Sequence, residues 1–308
     1  MNKKIVFMGT PSISGQILKS LYQNGLNIEA VYTQPPIASH RGQRKNKSPV
    51  HILAETLNLP VRTPYSLENK EELNFLKEKD ISLGIVVAYG QILKKNFLNI
   101  SKNGWINIHY SLLPKLRGAA PIQRAIMNCE NLTGISIIQM NEELDAGPIC
   151  NQYTLNILEN ENSEELSARL SKLASEKILE NIDNIFEGKA VFKEQDHDKR
   201  SYAKKIKKEE GKINWQDTNK MIIGKINGLF PNPGGWFIYK GERYKILRAE
   251  LSSSTGQPGE ILTENLVIGC GKNSIKVLEI QRQGKKVQKS KEFLLGSSIK
   301  KGTKLNYA

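Results

Sequence analysis

Leu83-Gly84-Ile85-Val86-Val87-Ala88-Tyr89 is an almost unbroken apolar run. A strand with one wet face alternates apolar and polar residues, so a run without alternation predicts a strand buried on both faces, as in a parallel sheet covered by helices. The segments on either side agree. Upstream, short β-branched runs at 4–8, 28–33 and 61–64 alternate with helical periods at 15–22, 50–57 and 70–79. Downstream, 105–109 and 134–140 read as further strands. Strand and helix taking turns is the pattern of βαβ units, so this part of the chain is α/β with a mostly parallel sheet. Residues 163–186 then read as one long helix, with Ser163 as its N-cap, Glu164 and Glu165 in the first turn and Gly188 just past its end.

A polar connector over 189–205 separates this pattern from another. Short strand-like runs follow at 212–215, 235–239, 244–249, 260–262, 266–269 and 275–280. One helix at 217–227 and the break Pro231-Asn232-Pro233-Gly234-Gly235 interrupt them. Many short strands between turn signals predict a small OB-like β-barrel. At 308 residues the chain is long enough for two domains. The expected division is 1–188, a linker over 189–205, and 206–308.

Charge separates the same two parts. Of the net charge of +14, residues 1–190 supply 21 Lys and Arg against 19 Asp and Glu, whereas 191–308 supply 24 against 12, so the last third carries +12. Many cations on one module suit a phosphate-rich partner such as nucleic acid, although a Lys-rich soluble surface has the same composition. The apolar start of the chain ends at Met8-Gly9, too short for a signal peptide, and no run is long enough to span a bilayer. These features lead us to expect a cytoplasmic protein. Cys129, Cys150 and Cys270 are widely spaced and odd in number, which suits small buried apolar residues better than disulfides or a metal site.

Gly9-Thr10-Pro11-Ser12-Ile13-Ser14-Gly15 follows the first strand but fits neither G-x-G-x-x-G nor the Walker pattern, so a tight strand-to-helix turn accounts for it. A better candidate centre lies further on. Asn107 and His109 are two apart on a strand and share a face near its carboxyl end, where open α/β sheets place ligands. Asp145, in a loop after another strand, can join them. Each of these residues alone would be ordinary.

The run Asn107-Ile108-His109-Tyr110-Ser111-Leu112-Leu113-Pro114, with Arg117-Gly118-Ala119-Ala120-Pro121-Ile122-Gln123 after it, resembles the signature of the folate-dependent formyltransferases. Its extended form is similar to the branch that acts on methionyl-initiator tRNA. Phe7-Met8-Gly9-Thr10-Pro11, Ala88-Tyr89-Gly90, Leu144-Asp145-Ala146-Gly147 and Glu210-Gly211-Lys212-Ile213 carry the likeness along the chain. The resemblance implies a Rossmann-like catalytic domain followed by an OB-like tRNA-binding domain. It implies 10-formyltetrahydrofolate as formyl donor, methionyl-initiator tRNA as acceptor, no metal and a monomer. Asn107, His109 and Asp145 match its catalytic positions, and Ser111, Leu112, Leu113 and Pro114 match its folate-contacting segment.

The basic run 39–48 matches the family's acceptor-stem loop through Arg41, and Lys205 and Lys208 match its basic positions. The sequence departs from the pattern at Tyr110, where a small residue or proline is common, and over Pro36 to His40. Chemically, Asn107 and His109 can donate to a developing oxyanion, and Asp145 can orient His109 and favour its cationic form. Two other readings remain open at this point: a formyltransferase acting on a small amine, and a noncatalytic RNA-binding protein.

Overall fold

The computed structural model describes residues 3–38 and 45–305. The chain starts with β1 (Lys4–Gly9), α1 (Ser12–Gln23), β2 (Asn27–Tyr32), the short pair β3 (Ile37–Ala38) and β4 (Lys45–Asn46), and α2 (Pro49–Thr56). It continues through β5 (Val61–Arg62), α3 (Lys70–Lys79), β6 (Leu83–Val87), α4 (Lys95–Leu98) and β7 (Trp105–His109). Next come α5 (Pro121–Met127), β8 (Leu132–Gln139), β9 (Ile149–Asn156) and α6 (Ser163–Phe186). Seven strands form one sheet in the order β5-β2-β1-β6-β7-β8-β9. From β5 to β7 every neighbouring pair is parallel, and β8 turns antiparallel to β7. This is the expected α/β, Rossmann-like arrangement with a mostly parallel sheet.

The apolar run that opened the sequence is central strand β6, buried at every residue. It lies between β1 and β7, with Gly84 opposite Trp105. The missing side chain at Gly84 is what admits the indole, because a Cβ there would lie 1.9 Å from a Trp105 ring carbon. Trp105 packs against Phe97, with ring centroids 5.0 Å apart, and its Nε1 donates to the Phe97 carbonyl at 3.1 Å. β9 was not foreseen. It is an edge strand whose residues are half-buried or exposed, so it lacks the apolar signal of the centre.

Helix α6 has the expected span, but its cap is one residue earlier than Ser163. Asn162 Oδ1 accepts from the Glu164 and Glu165 backbone N–H groups, and Glu165 accepts in return from the Asn162 N–H. Together they form a capping box. Ser163 instead donates to the Phe230 carbonyl at 2.6 Å.

The later elements are α7 (Asn219–Gly228), β10 (Gly235–Tyr239), β11 (Glu242–Ser252), β12 (Val267–Gly269), β13 (Ser274–Arg282), β14 (Val287–Lys289) and α8 (Ser290–Leu295). The strands form an antiparallel sheet in the order β10-β11-β13-β12, with β14 also on β13. Register shifts around Arg248 bend β11, and the sheet curls into a half-barrel consistent with an OB-like domain. Ile213, Trp215, Ile226, Phe237, Ile246 and Ile280 belong to its core. The runs at 212–215 and 260–262 form isolated bridges rather than strands.

The chain packs as two compact units. One holds the residues up to Ala119, Gly134–Leu155 and Ser167–Ala203; the other holds Ala120–Thr133, Asn156–Leu166 and the residues from Lys204 on. Helix α5 thus packs with α7. The reason is visible on α7, where Gly224 and Gly228, one turn apart, let two backbones approach. A Cβ at Gly224 would stand 2.9 Å from the Ile126 carbonyl oxygen, and one at Gly228 2.8 Å from that of Gln123.

The cysteines differ from the sequence expectation, since only Cys270 is buried. Cys150 is half-buried and Cys129 is exposed, in a left-handed residue just after α5 that points its thiol toward the Lys220 carbonyl. No helix among the described residues is long and apolar enough to cross a membrane.

Gly84→Ala should lower unfolding stability by about 1–3 kcal/mol, the usual cost of overpacking a close-packed interior. Urea titration should show a lower midpoint at an unchanged slope. An unaltered midpoint would mean that Trp105 moves aside freely.

Candidate active site

Strand β7 is buried at all five residues, yet Asn107 and His109 lie on it, at 9 % and 6 % exposure. Polar groups in such a place need partners. Asn107 Nδ2 donates to Asp145 Oδ1 at 3.1 Å, and the Gly118 backbone N–H donates to Asp145 Oδ2 at 2.8 Å. His109 Nδ1 stands 3.7 Å from Asp145 Oδ2, within ion-pair range but beyond a hydrogen bond. His109 Nε2 lies 2.9 Å from the Leu116 carbonyl oxygen. A carbonyl only accepts, so Nε2 carries the hydrogen, and Nδ1 is the ring position left to gain or lose a proton. The three residues singled out from sequence therefore meet, and the carboxylate is held by Asn107 and a backbone amide.

Antiparallel β8 decides how Asp145 arrives. Ser136 pairs with His109 and Gln139 with Ile106, so β8 ends beside the amino end of β7, away from the carboxyl edge. The loop after it must fold back over the sheet face that bears Asn107. Gly147 permits this fold, since a Cβ there would lie 1.8 Å from the Gln139 carbonyl oxygen. Asp145 itself is left-handed, with φ 50°, a conformation that aspartate tolerates better than most residues.

The segment 111–116 is an internally bonded turn. Ser111 Oγ donates to the Lys115 carbonyl at 2.6 Å, which commits its hydrogen within the turn. Ser136 Oγ donates to the Ser111 carbonyl and accepts from the Leu113 N–H, and Gln152 Nε2 donates to the Leu113 carbonyl at 2.8 Å. Ser111 and Leu113 are buried, while Leu112 and Pro114 are half-buried and present surface. Alternation sends Tyr110 away from the His109 face, and it is buried beside Ser171 of α6, where burial pushes its phenol above the ordinary tyrosine range. The bulky residue therefore fills the far side of the sheet without entering the site.

The turn at Gly9-Thr10 works as a brace. Thr10 Oγ1 and Gln34 Nε2 both donate to the Tyr89 carbonyl, at 2.9 and 3.1 Å, which ties together the loops after β1, β2 and β6. Ser136, Gln152, Arg117 and Gln195 were not singled out for any role from sequence. Gln195 carries no local signal at all, because it sits in a polar connector and acquires its partners only through the fold. Lys205 and Lys208 are exposed residues of the second unit. Arg41, and the end of the atypical 36–40 run, lie outside the described residues.

Two cavities open elsewhere. One of about 450 Å³ is bounded by Arg62, Tyr65 and Glu72, and another of about 750 Å³ by Lys95, Trp105 and Gln139; neither is lined by Asn107, His109 or Asp145. Among the described residues, no group of three or more His, Cys, Asp or Glu side chains is placed to hold a metal ion.

Gly118→Ala combines a left-handed φ of 116° with a Cβ 2.8 Å from the Ala203 carbonyl oxygen, and it displaces the amide that holds Asp145. It should cost about 1 kcal/mol or more of stability, measured by thermal unfolding. A variant as stable as the parent would show that the 118 and 203 backbones are not fixed against each other.

Residues 3–182 match the family described as formyl transferase, and residues 205–298 match the formyl transferase C-terminal domain. The chain is 58% identical over 307 residues to the methionyl-tRNA formyltransferase of Pelagibacter ubique (strain HTCC1062), covering 99% of each. It is 40% identical over 310 residues to that of Chelativorans sp. (strain BNC1), covering 99% of this chain and 100% of the relative. Among solved structures, the sugar 3N-formyl transferase WlaRD, in the presence of dTDP and 5-N-formyl-THF, superposes with a TM-score of 0.69 at 22% identity, covering 93% of this chain and 100% of that one, which is a likeness of fold. Matched along nearly its whole length and in both parts, the chain belongs to the family of methionyl-tRNA formyltransferases.

Proposed function

We propose that the chain transfers the formyl group of 10-formyltetrahydrofolate to the α-amino group of methionyl-initiator tRNA. The observation that carries this reading is the meeting of Asn107 and His109, on a buried strand, with Asp145 from the loop after β8, the carboxylate 3.1 Å from the amide and 3.7 Å from the imidazole. In the transfer, the amine nitrogen bonds to the formyl carbon and the carbonyl electron pair moves to oxygen. The pair then returns as the bond to the folate nitrogen breaks. Donors already in place lower such a barrier because they need not reorganise. Asn107 supplies its second amide hydrogen to the oxyanion. The amine must shed a proton and the folate nitrogen must gain one, and His109 Nδ1, facing Asp145, is the group that carries it.

Leu112 and Pro114, the half-buried part of the 111–114 turn, supply the surface for the folate, with Ser111 and Leu113 shaping it from beneath. Residues 1–188 form the proposed catalytic part, 189–205 the connector and 206–308 the tRNA-binding part, whose cationic excess suits a polyphosphate. Lys205, Lys208 and, by resemblance, Arg41 are the proposed tRNA contacts. The protein acts as a cytoplasmic monomer in this reading.

Incubation of the purified chain with methionyl-initiator tRNA and 10-formyltetrahydrofolate should yield formylmethionyl-tRNA. Asn107→Ala, His109→Ala and Asp145→Ala should each slow turnover by about 100-fold or more while unfolding as the parent does. Near-normal turnover in a folded His109→Ala protein overturns the assignment.

The tRNA contacts have their own test. Lys205→Ala and Lys208→Ala should each reduce the slope of log affinity against log salt by about one, as the loss of a phosphate contact does. Arg41→Leu should impair tRNA-dependent turnover and spare folate affinity. Unchanged salt slopes in both lysine variants would remove those residues from the interface.

A further inference from the structure

The residues that face substrate in this reading are themselves held in place from behind. Leu116 accepts from His109 and Gly118 donates to Asp145, and residues 116–118 are zipped to 201–203. The Leu116 N–H donates to Ser201 Oγ at 2.9 Å, the Arg117 N–H to the Ser201 carbonyl at 2.9 Å, and the Ala203 N–H to the Arg117 carbonyl at 2.7 Å. From the same segment, Gln195 Nε2 donates to the carbonyls of Asp145 at 2.9 Å and of Gly147 at 2.7 Å. Its Oε1 accepts from Arg117 Nε at 3.0 Å and Nη2 at 2.6 Å.

We propose that Gln195, fixed by Arg117, is a positioning residue that holds the Asp145 loop, and hence the carboxylate, in register with Asn107 and His109. An amide has two hydrogens and two acceptor sites, and here all four are used, the hydrogens on one loop and the oxygen on the other. Gln195 is therefore the link through which the loop behind His109 and the loop bearing Asp145 share one reference point. The residue type follows from this geometry. Glutamate could still accept from Arg117 but has no hydrogen for the two carbonyls.

The guanidinium supplies the second argument. Arg117 is 2 % exposed, and among the described residues no carboxylate pairs with it. A buried cation facing a neutral amide costs free energy, and an apolar residue of similar size would serve packing better. Its place is explained if its task is to hold the Gln195 oxygen so that the amide hydrogens point at residues 145–147. Asp145 needs such support because its backbone is in the less favoured left-handed region.

This inference rests on the formyl-transfer reading, and the test separates the two. With the full chain, methionyl-initiator tRNA and 10-formyltetrahydrofolate, Gln195→Ala and Gln195→Glu should lower kcat by roughly 10- to 100-fold while KM for either substrate moves by less than about 3-fold, as when a supporting contact lets a reacting group drift. Arg117→Met, which keeps much of the packed volume, should lower kcat in the same direction. A double-mutant cycle excludes a merely structural role. In an Asp145→Ala background, Gln195→Ala should change the residual rate by less than about 2-fold, because the group it positions is gone. An equal loss in both backgrounds, or parent-like kcat in Gln195→Ala, overturns the inference. Absence of transfer by the parent chain would instead overturn the reading on which it rests.

Discussion

The carboxylate of Asp145 serves two buried donors at once, the Asn107 amide and the Gly118 N–H, and much of the site's architecture follows from that demand. Burial of β7 at every residue takes Asn107 and His109 largely out of solvent, and two loops come to it with matching groups. One brings Asp145; the other brings the Leu116 carbonyl and the Gly118 amide. Both are shaped by glycine. Gly147 lets the first fold back against Gln139, and Gly118 lets the second lie against Ala203. A side chain at either place would meet backbone, which cannot turn away. The 145–147 loop and the imidazole are thereby placed relative to β7 by contacts within the fold itself, which is the condition the proposed transfer asks of fixed dipoles.

The change of direction at β8 decides from where Asp145 approaches β7. A parallel strand there would have delivered its following loop to the carboxyl edge of the sheet, together with the loops after β1, β6 and β7. Because β8 runs antiparallel to β7, its loop starts at the opposite end and crosses the sheet face. The Thr10 and Gln34 bonds to Tyr89 hold the carboxyl edge closed on itself, while Asp145 comes from over the face. The centre thus draws on two sides of the sheet, with His109 the last residue of its strand.

In the second unit, close approach between helices has a different basis. Gly224 and Gly228 remove the side chains that would keep α7 away from α5, and Arg124, on α5, makes a two-pronged pair with Glu210. Residues 120–133 consequently pack with residues more than 70 positions later in the chain. That unit also carries most of the chain's excess positive charge. A folded module with a cationic excess suits a polyanionic partner, since each phosphate it neutralises releases counterions.

Much of the fold could be read from local pattern. The unbroken run 83–89 identified the central strand, the period of 3.6 identified α3 and α6 to the residue, and β7 and β10 fell where expected, because burial on a regular element leaves a regular trace. Half-buried or exposed β9 left none, and the cap of α6 fell to Asn162 instead of Ser163, whose hydroxyl had a tertiary partner in Phe230. At the site, the strand period put Asn107 and His109 on one face, the loop after a later strand offered Asp145, and the family resemblance matched all three to catalytic positions. Local sequence did not reveal that Asp145 binds Gly118, that His109 spends Nε2 on Leu116, or that Gln195 and Arg117 brace both loops. Sequence by itself determined which side chains share an element and a face, since that depends on backbone period alone. Only the tertiary structure decided which distant donors and acceptors satisfy one another, because a buried polar group takes whatever partner the folded chain brings within about 3 Å.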